Sequence, residues 1–407
     1  MKMIQDIALR PQPVGVFPLP VGLLLLPPVD APCADALASL LRADHAAVVP
    51  PEWRFYVRAL SGDMSVPDHS DDPLAAYNRF VLSGDPEQYR ELLTTADGDL
   101  ATMLELAAFY HGLTDTLPDS TSLTGELRAQ ALMMFAAQSI EQQDTSAALK
   151  HLTEAVDLAR PASPVFAATL LGQMAQLGSG SCSAFTFCRE AIDLLADCAD
   201  DRLRAEAWMH LGQVCQEQAG ASRVVLVEAA QAYQQALRHG LSLECNEDLY
   251  ALAQNNIGLA YLAMPMTGAG DNLRTGVAIQ SFREALKVYD RERNPDLWVS
   301  TQLNLANALQ YMHSSHPEEN LMRAVEIYEE LLSMRQRAID PVGYARILAN
   351  QANALAHLGL FSPAMEKATE AHKLLHWHNE PNLAATMLDL TTQINSRLGQ
   401  SANAGAN

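Results

Sequence analysis

The chain has 407 residues, is 49% hydrophobic with only 6% aromatics, and sets 48 acidic against 27 basic side chains for a formal charge of −21. So acidic a surface repels phosphate backbones, which argues against nucleic acid and anionic membrane as partners and for neutral or basic protein segments. The length admits roughly two to three domains, or one domain and a repeat array, and an Ala- and Leu-rich chain favours closely packed helices.

The first 28 residues, "MKMIQDIALRPQPVGVFPLPVGLLLLPP", are only superficially like a signal sequence. Asp6 and Arg10 interrupt the region that should be apolar, and prolines bracket the short run from Val21 to Leu26. No stretch approaches the roughly 20 apolar residues of a membrane helix, so a cytoplasmic protein is expected. The segment "VGVFPLPVGLLLLPPVD" reads as extended chain lying across the first helices. Helical stretches follow: "CADALASLLRAD", "PPEWRFYVRALSGD", "DPLAAYNRFVLSGD", "PEQYRELLTT" and "LATMLELAAFYHG". Gly62, Gly84 and Gly112 stand where helix C-caps belong, and Asp71, Asp85 and Asp99 where N-caps belong. Residues 1–120 are thus expected to form an all-helical N-terminal region with a proline-rich extended start.

Self-similarity begins near Thr121. "QNNIGLAY" ends at Tyr261, "QLNLANAL" at Leu309 and "LANQANAL" at Leu355, with spacings of about 48 and 46 residues. Each is followed by a turn and a second helix: "AIQSFREALKVY", "AVEIYEELLSMR" and "AMEKATEAHKLL". Three weaker pairs precede them. About six helix–turn–helix units therefore fill 121–380, a capping helix is expected over 381–398, and 399–407 is expected to be a disordered tail.

Trp208, Leu211 and Gly212 on one first helix, with Ala229, Tyr233 and Ala236 on its second, resemble the tetratricopeptide repeat (TPR) pattern. Ile257, Gly258, Tyr261, Ala278, Phe282 and Ala285 match it again, as do Leu305, Ala306, Ala324 and Tyr328. The likeness spans about two-thirds of the chain and is similar to a long-repeat bacterial subgroup with "NLGNAY"-like first helices. It implies an all-α, right-handed TPR-type α-solenoid with an all-helical N-terminal extension. The repeat is ordinarily about 34 residues. Here the excess lies between the helices, and the shared "DNLR" and "ENLM" read as an extra turn opening the second helix.

No catalytic signature is present: there is no G-x-S-x-G, no P-loop and no H-E-x-x-H. "GSGSC" at Gly178 reads as a turn. The six cysteines form no C-x-x-C pair and read as reduced, packed thiols. His372, His376 and His378 lie at a helix end and His313 and His316 in a loop, so solvated histidines are expected there, with no metal or cofactor.

The amides stand out. Ser300, Asn304, Asn307 and Tyr311 form a stripe beside the apolar one of Leu305 and Leu309. The next unit repeats it with Arg346, Asn350, Asn353 and His357; earlier units offer Asn255 and Asn256, then Glu206, His210, Gln213 and Glu217. The TPR resemblance implies that these first-helix stripes share one concave groove. An asparagine has one acceptor and two donors, matching the C=O and N–H of an extended peptide. Two readings stay open: the amides bind a partner segment, or they bond adjacent helices and fix their angle. The family's carboxylate clamp places basic residues beside such asparagines; Asn255, Leu303 and Ala349 stand here instead, so that clamp is not expected. The function expected is a non-catalytic scaffold or adaptor for a protein or peptide segment, possible forms being an assembly or maturation chaperone. A peptide-responsive sensor and a helical-scaffold enzyme are the alternatives.

Overall fold

The computed structural model describes residues 23–26, 34–44, 46–54, 57–58, 73–178, 182–220, 222–240, 244, 246–265, 268, 270–312, 316–335 and 337–404. Gly62, Asp71, Cys33, Cys245, His313 and the first 22 residues lie outside them. Among the described residues there is no strand. The helices are α1 (Ala34–Leu41), α2 (Pro73–Ser83), α3 (Pro86–Leu92), α4 (Gly98–Tyr110), α5 (Gly125–Glu141), α6 (Thr145–Ala159), α7 (Pro164–Leu177), α8 (Cys182–Leu194), α9 (Asp201–Gln218), α10 (Arg223–Arg238), α11 (Glu247–Ala263), α12 (Asp271–Ala285), α13 (Pro295–Tyr311), α14 (Pro317–Met334), α15 (Pro341–His357), α16 (Phe361–Trp377) and α17 (Pro381–Ala404). They fall into two compact units, residues 1–218 with 238–240, and 219–237 with 241–407.

Local chemistry sets the helix ends. Proline opens α13, α14 and α15, where its missing N–H would be unpaired in any case. The carboxylates of Asp85, Asp144 and Asp340 accept first-turn N–H groups as N-caps. Gly84 and Gly112 follow α2 and α4 at φ +64 and +71, the left-handed conformation that glycine adopts without strain. Asp99 is a correction: α4 begins two residues earlier than that cap implies, at Gly98, so Asp99 sits buried in the first turn and Asp97 takes the N-cap position. The last helix continues through Gly399 to Ala404, further than the 398 boundary expected from that glycine. One glycine weakens a helix by only about 1 kcal/mol, which need not end it.

In the first unit α5 packs on α6, α7 on α8, and α9 on α8. Leu23–Leu26 is fully buried there. Leu23, Leu25 and Leu26 join the cluster around Trp53, Tyr77 and Phe80, while Leu24 joins the cluster around Leu132 and Phe166. The backbone of Leu26 has no helix or sheet partner, so a side chain serves it. Leu26 N–H donates to Asn78 Oδ1 at 2.8 Å, and Asn78 Nδ2 donates to Leu26 O at 2.7 Å.

In the second unit α11 pairs with α12, α13 with α14, and α15 with α16, and the first helices α11, α13, α15 and α17 touch in sequence. Ala278, Phe282, Ala306, Ala324 and Tyr328 are fully buried. "DNLR" does open a second helix: Arg274 reaches back from its first turn to bond Asp271 and the carbonyl of Pro265. Gly258 shows how close the paired helices lie. A Cβ there would stand 2.5 Å from the Phe282 ring. Gly258→Ala is therefore expected to lower stability by about 1–3 kcal/mol through overpacking, against the roughly 1 kcal/mol that alanine ordinarily gains in a helix. Urea unfolding of the variant checks this; a stabilised protein would contradict it.

Candidate functional site

The first helices of the second unit carry Asn255 and Asn256 on α11, Asn304, Asn307 and Tyr311 on α13, and Arg346, Asn350, Asn353 and His357 on α15. All five of the asparagines from Asn256 to Asn353, like Asn255, are partly buried, while Tyr311, Arg346 and His357 are exposed. The structure links some of these amides across helices. Asn350 Nδ2 donates to Asn307 Oδ1 at 2.9 Å, and the buried Tyr328 hydroxyl of α14 donates to the same oxygen at 2.7 Å. A carbonyl oxygen has two lone pairs, and Asn307 spends both. One repeat earlier, the Thr301 hydroxyl donates to Asn255 Oδ1 at 3.3 Å, and Asn255 Nδ2 donates to Asn256 Oδ1 at 3.4 Å. Side-chain bonds thus tie α11 to α13 and α13 to α15.

The bonding is staggered. In the shared register Asn256, Asn304 and Asn350 occupy one position and Leu259, Asn307 and Asn353 the next along the stripe. The bond runs from the first position of one helix to the second position of the preceding one. Asn304 would need its partner at position 259, where Leu259 offers none. Asn353 would need its partner on α17, which faces it across a cavity of about 40 Å³ lined also by His357, Phe361, Gln393 and Arg397. Asn353 also lacks a hydroxyl from its own repeat, because Ala368 stands where Tyr328 stands one repeat before. Among the described residues no side chain bonds the amide of Asn304 or Asn353. The row is mixed: Asn255, Asn307 and Asn350 brace helices, and Asn304 and Asn353 are left over.

Tyr328 was not among the expected site residues. Its signal lay in the repeat comparison, where Phe282 pairs with Leu259 and Tyr328 with Asn307. A hydroxyl and its acceptor appear together. Burial raises the Tyr328 phenol pKa, with Tyr311 adding to it, so the hydroxyl keeps its proton as a donor.

His210 and Gln213 belong to the first unit. Gln176 Nε2 lies 3.1 Å from His210 Nε2, and burial lowers the His210 pKa while Glu206 opposes the shift. Gln213 Nε2 donates to Glu217 at 3.0 Å. His372 and His376 stack, and His372 Nδ1 is 2.9 Å from the carbonyl of Ala384, which it serves as donor. His316 is exposed beside Glu319. Among the described residues no group of three His, Cys, Asp or Glu side chains converges as a metal site, and no helix is long and apolar enough to cross a membrane.

No protein-family model matches the chain, and no curated protein matches it. Solved structures do. The apo form of RapI is 12% identical, with a TM-score of 0.50 over 81% of this chain and 98% of that one. A signal-transduction ATPase of the STAND class with a tetratricopeptide repeat sensor, from Pyrococcus horikoshii, is 11% identical, with a TM-score of 0.53 over 87% of this chain and 55% of that one. At these identities the likeness shows the fold: the chain is an all-α, TPR-type α-solenoid.

Proposed function

We propose that the protein is a non-catalytic adaptor that holds an extended segment of a partner protein on the first helices of its second unit. The observation that carries this reading is the pair of leftover amides, Asn304 and Asn353, on a row in which Asn255, Asn307 and Asn350 brace helices. Each presents an acceptor and two donors at a partly buried position, and a partly buried amide without a partner is stabilised by acquiring one. The molecule holds an instance of the chemistry: Asn78 bonds both the N–H and the C=O of Leu26, a residue outside any helix. Asn256 and the exposed Tyr311, Arg346 and His357 flank the two open amides and complete the contact set, with Tyr311 adding apolar surface and Arg346 a preference for acceptor groups. Asn307, Asn350 and Asn255 position the row; His210 and Gln213 lie in the first unit, outside this row.

Gripping backbone more than side chains suits a holder of unfolded or unassembled segments, and an assembly or maturation chaperone for a larger complex is the concrete form we favour. The buried free thiols of Cys188 and Cys198 support a reducing compartment such as the cytoplasm.

A peptide array of random extended sequences, probed with the full chain, tests the reading. Asn304→Ala with Asn353→Ala is expected to weaken capture about tenfold or more, as loss of two hydrogen-bonding amides implies, with the melting temperature unchanged. Equal capture by the double variant would overturn it.

A further inference from the structure

The first unit contains a cavity of about 220 Å³ between α7, α8 and α9. Its depth is apolar, lined by Ala168, Ala191, Leu195, Leu203 and Ala207. Its polar groups are Thr169, Gln173, Gln176, Glu206 and His210. An apolar cavity of about 150 Å³ already accommodates a benzene-sized guest, whereas pockets for larger ligands begin near 300 Å³. The space therefore suits one long side chain.

The charges select which one. Glu206 is the only ionised lining residue, and no cation lines the cavity. The exposed Arg202 donates to Glu206 Oε1 at 2.8 Å from one helical turn away, leaving Oε2 for a second donor. Gln176 occupies His210 Nε2 through its amide nitrogen, so that ring nitrogen accepts and the neutral ring carries its proton on Nδ1. Gly172 faces this ring: a Cβ there would meet His210 Nδ1 at 3.4 Å, in ordinary van der Waals contact. A guest with apolar methylenes and a terminal cation satisfies both the walls and the carboxylate. A chain of charge −21 attracts such a guest over any acidic one.

We propose that this cavity is a lysine pocket, which takes the side chain of a lysine in a bound protein segment with its methylenes against Leu195 and Leu203 and its ammonium at Glu206. The proposal deepens the adaptor reading and rests on it for the source of the lysine. The open amides of the second unit play no part in it.

Methyl NMR of Leu195 and Leu203 in the full chain tests it, with three short alanine-rich peptides carrying one central lysine, norleucine or glutamate, and with free n-pentylamine. The lysine peptide is expected to shift both methyl sets and to bind about tenfold or more tightly than the norleucine peptide, as a charge-assisted contact implies. Glu206→Gln is expected to remove that preference at unchanged melting temperature. Equal binding of lysine and norleucine peptides would overturn the proposal, as would methyl shifts with n-pentylamine but not with the lysine peptide, or no methyl shift with any of these ligands. If the Asn304 and Asn353 effect on array capture persists in that case, the pocket fails while the adaptor reading stands. If lysine binding is seen and the array effect is absent, the reverse holds.

Discussion

Asn307→Leu lowers the stability of the protein by about 1–3 kcal/mol, and adding Tyr328→Phe restores most of the loss. The single change introduces an apolar side chain of similar size and strips the Tyr328 hydroxyl of its 2.7 Å acceptor in a fully buried setting. Leaving a buried donor unmet costs about 1–3 kcal/mol, whereas replacing both partners with apolar groups is nearly neutral. The double variant recreates the Phe282–Leu259 couple that the preceding repeat already uses. Gln310, 3.4 Å from the same hydroxyl, is too distant to replace Asn307 fully. Thermal unfolding of the two singles and the double completes the cycle; about 2–4 °C per kcal/mol is expected for a folding unit of this size. Additive effects of the two substitutions would show that the hydrogen bond does not couple them.

Asn78→Leu has a larger effect, about 2–5 kcal/mol. It leaves two backbone groups of Leu26 buried and unmet, each worth about 1–3 kcal/mol, because Leu26 is 0% exposed and water has no access. Asn78→Asp does not rescue, since it sets a second acceptor against the Leu26 carbonyl and buries a charge. The Tyr77 hydroxyl, 3.5 Å from the carbonyl of Leu24, is too weak a contact to hold the segment alone. Urea unfolding checks this, and a loss below about 0.5 kcal/mol, the range of neutral surface changes, would show that the Leu23–Leu26 segment is held by its leucines only.

Much of the solenoid is readable before any coordinate. The small residues Gly258, Ala306 and Ala352 recur at one register position, and the aromatics Phe282 and Tyr328 at another. These are dictated by helix approach, which periodicity reports directly. The register of the amides is readable for the same reason. Their division of labour is not, because a bond between neighbouring first helices depends on their stagger, and a repeat spacing does not define stagger. Once the Asn350–Asn307 bond supplies it, the sequence explains the exceptions: Leu259 strands Asn304, and Ala368 strands Asn353. The Asn78–Leu26 latch joins residues 52 apart with no repeated pattern to announce it. Asn78 looks like any helix amide until the buried leucines beside it require a partner for their backbone.

The central claim is that this one row of asparagines contains two kinds of amide. Side-chain amide NMR of the full chain, titrated with the best-binding peptide of the array, reads them individually. The NH₂ resonances of Asn304 and Asn353 are expected to shift with saturation while those of Asn307 and Asn350 stay in place. Shifts at Asn307 and Asn350 with Asn304 and Asn353 unmoved would contradict it.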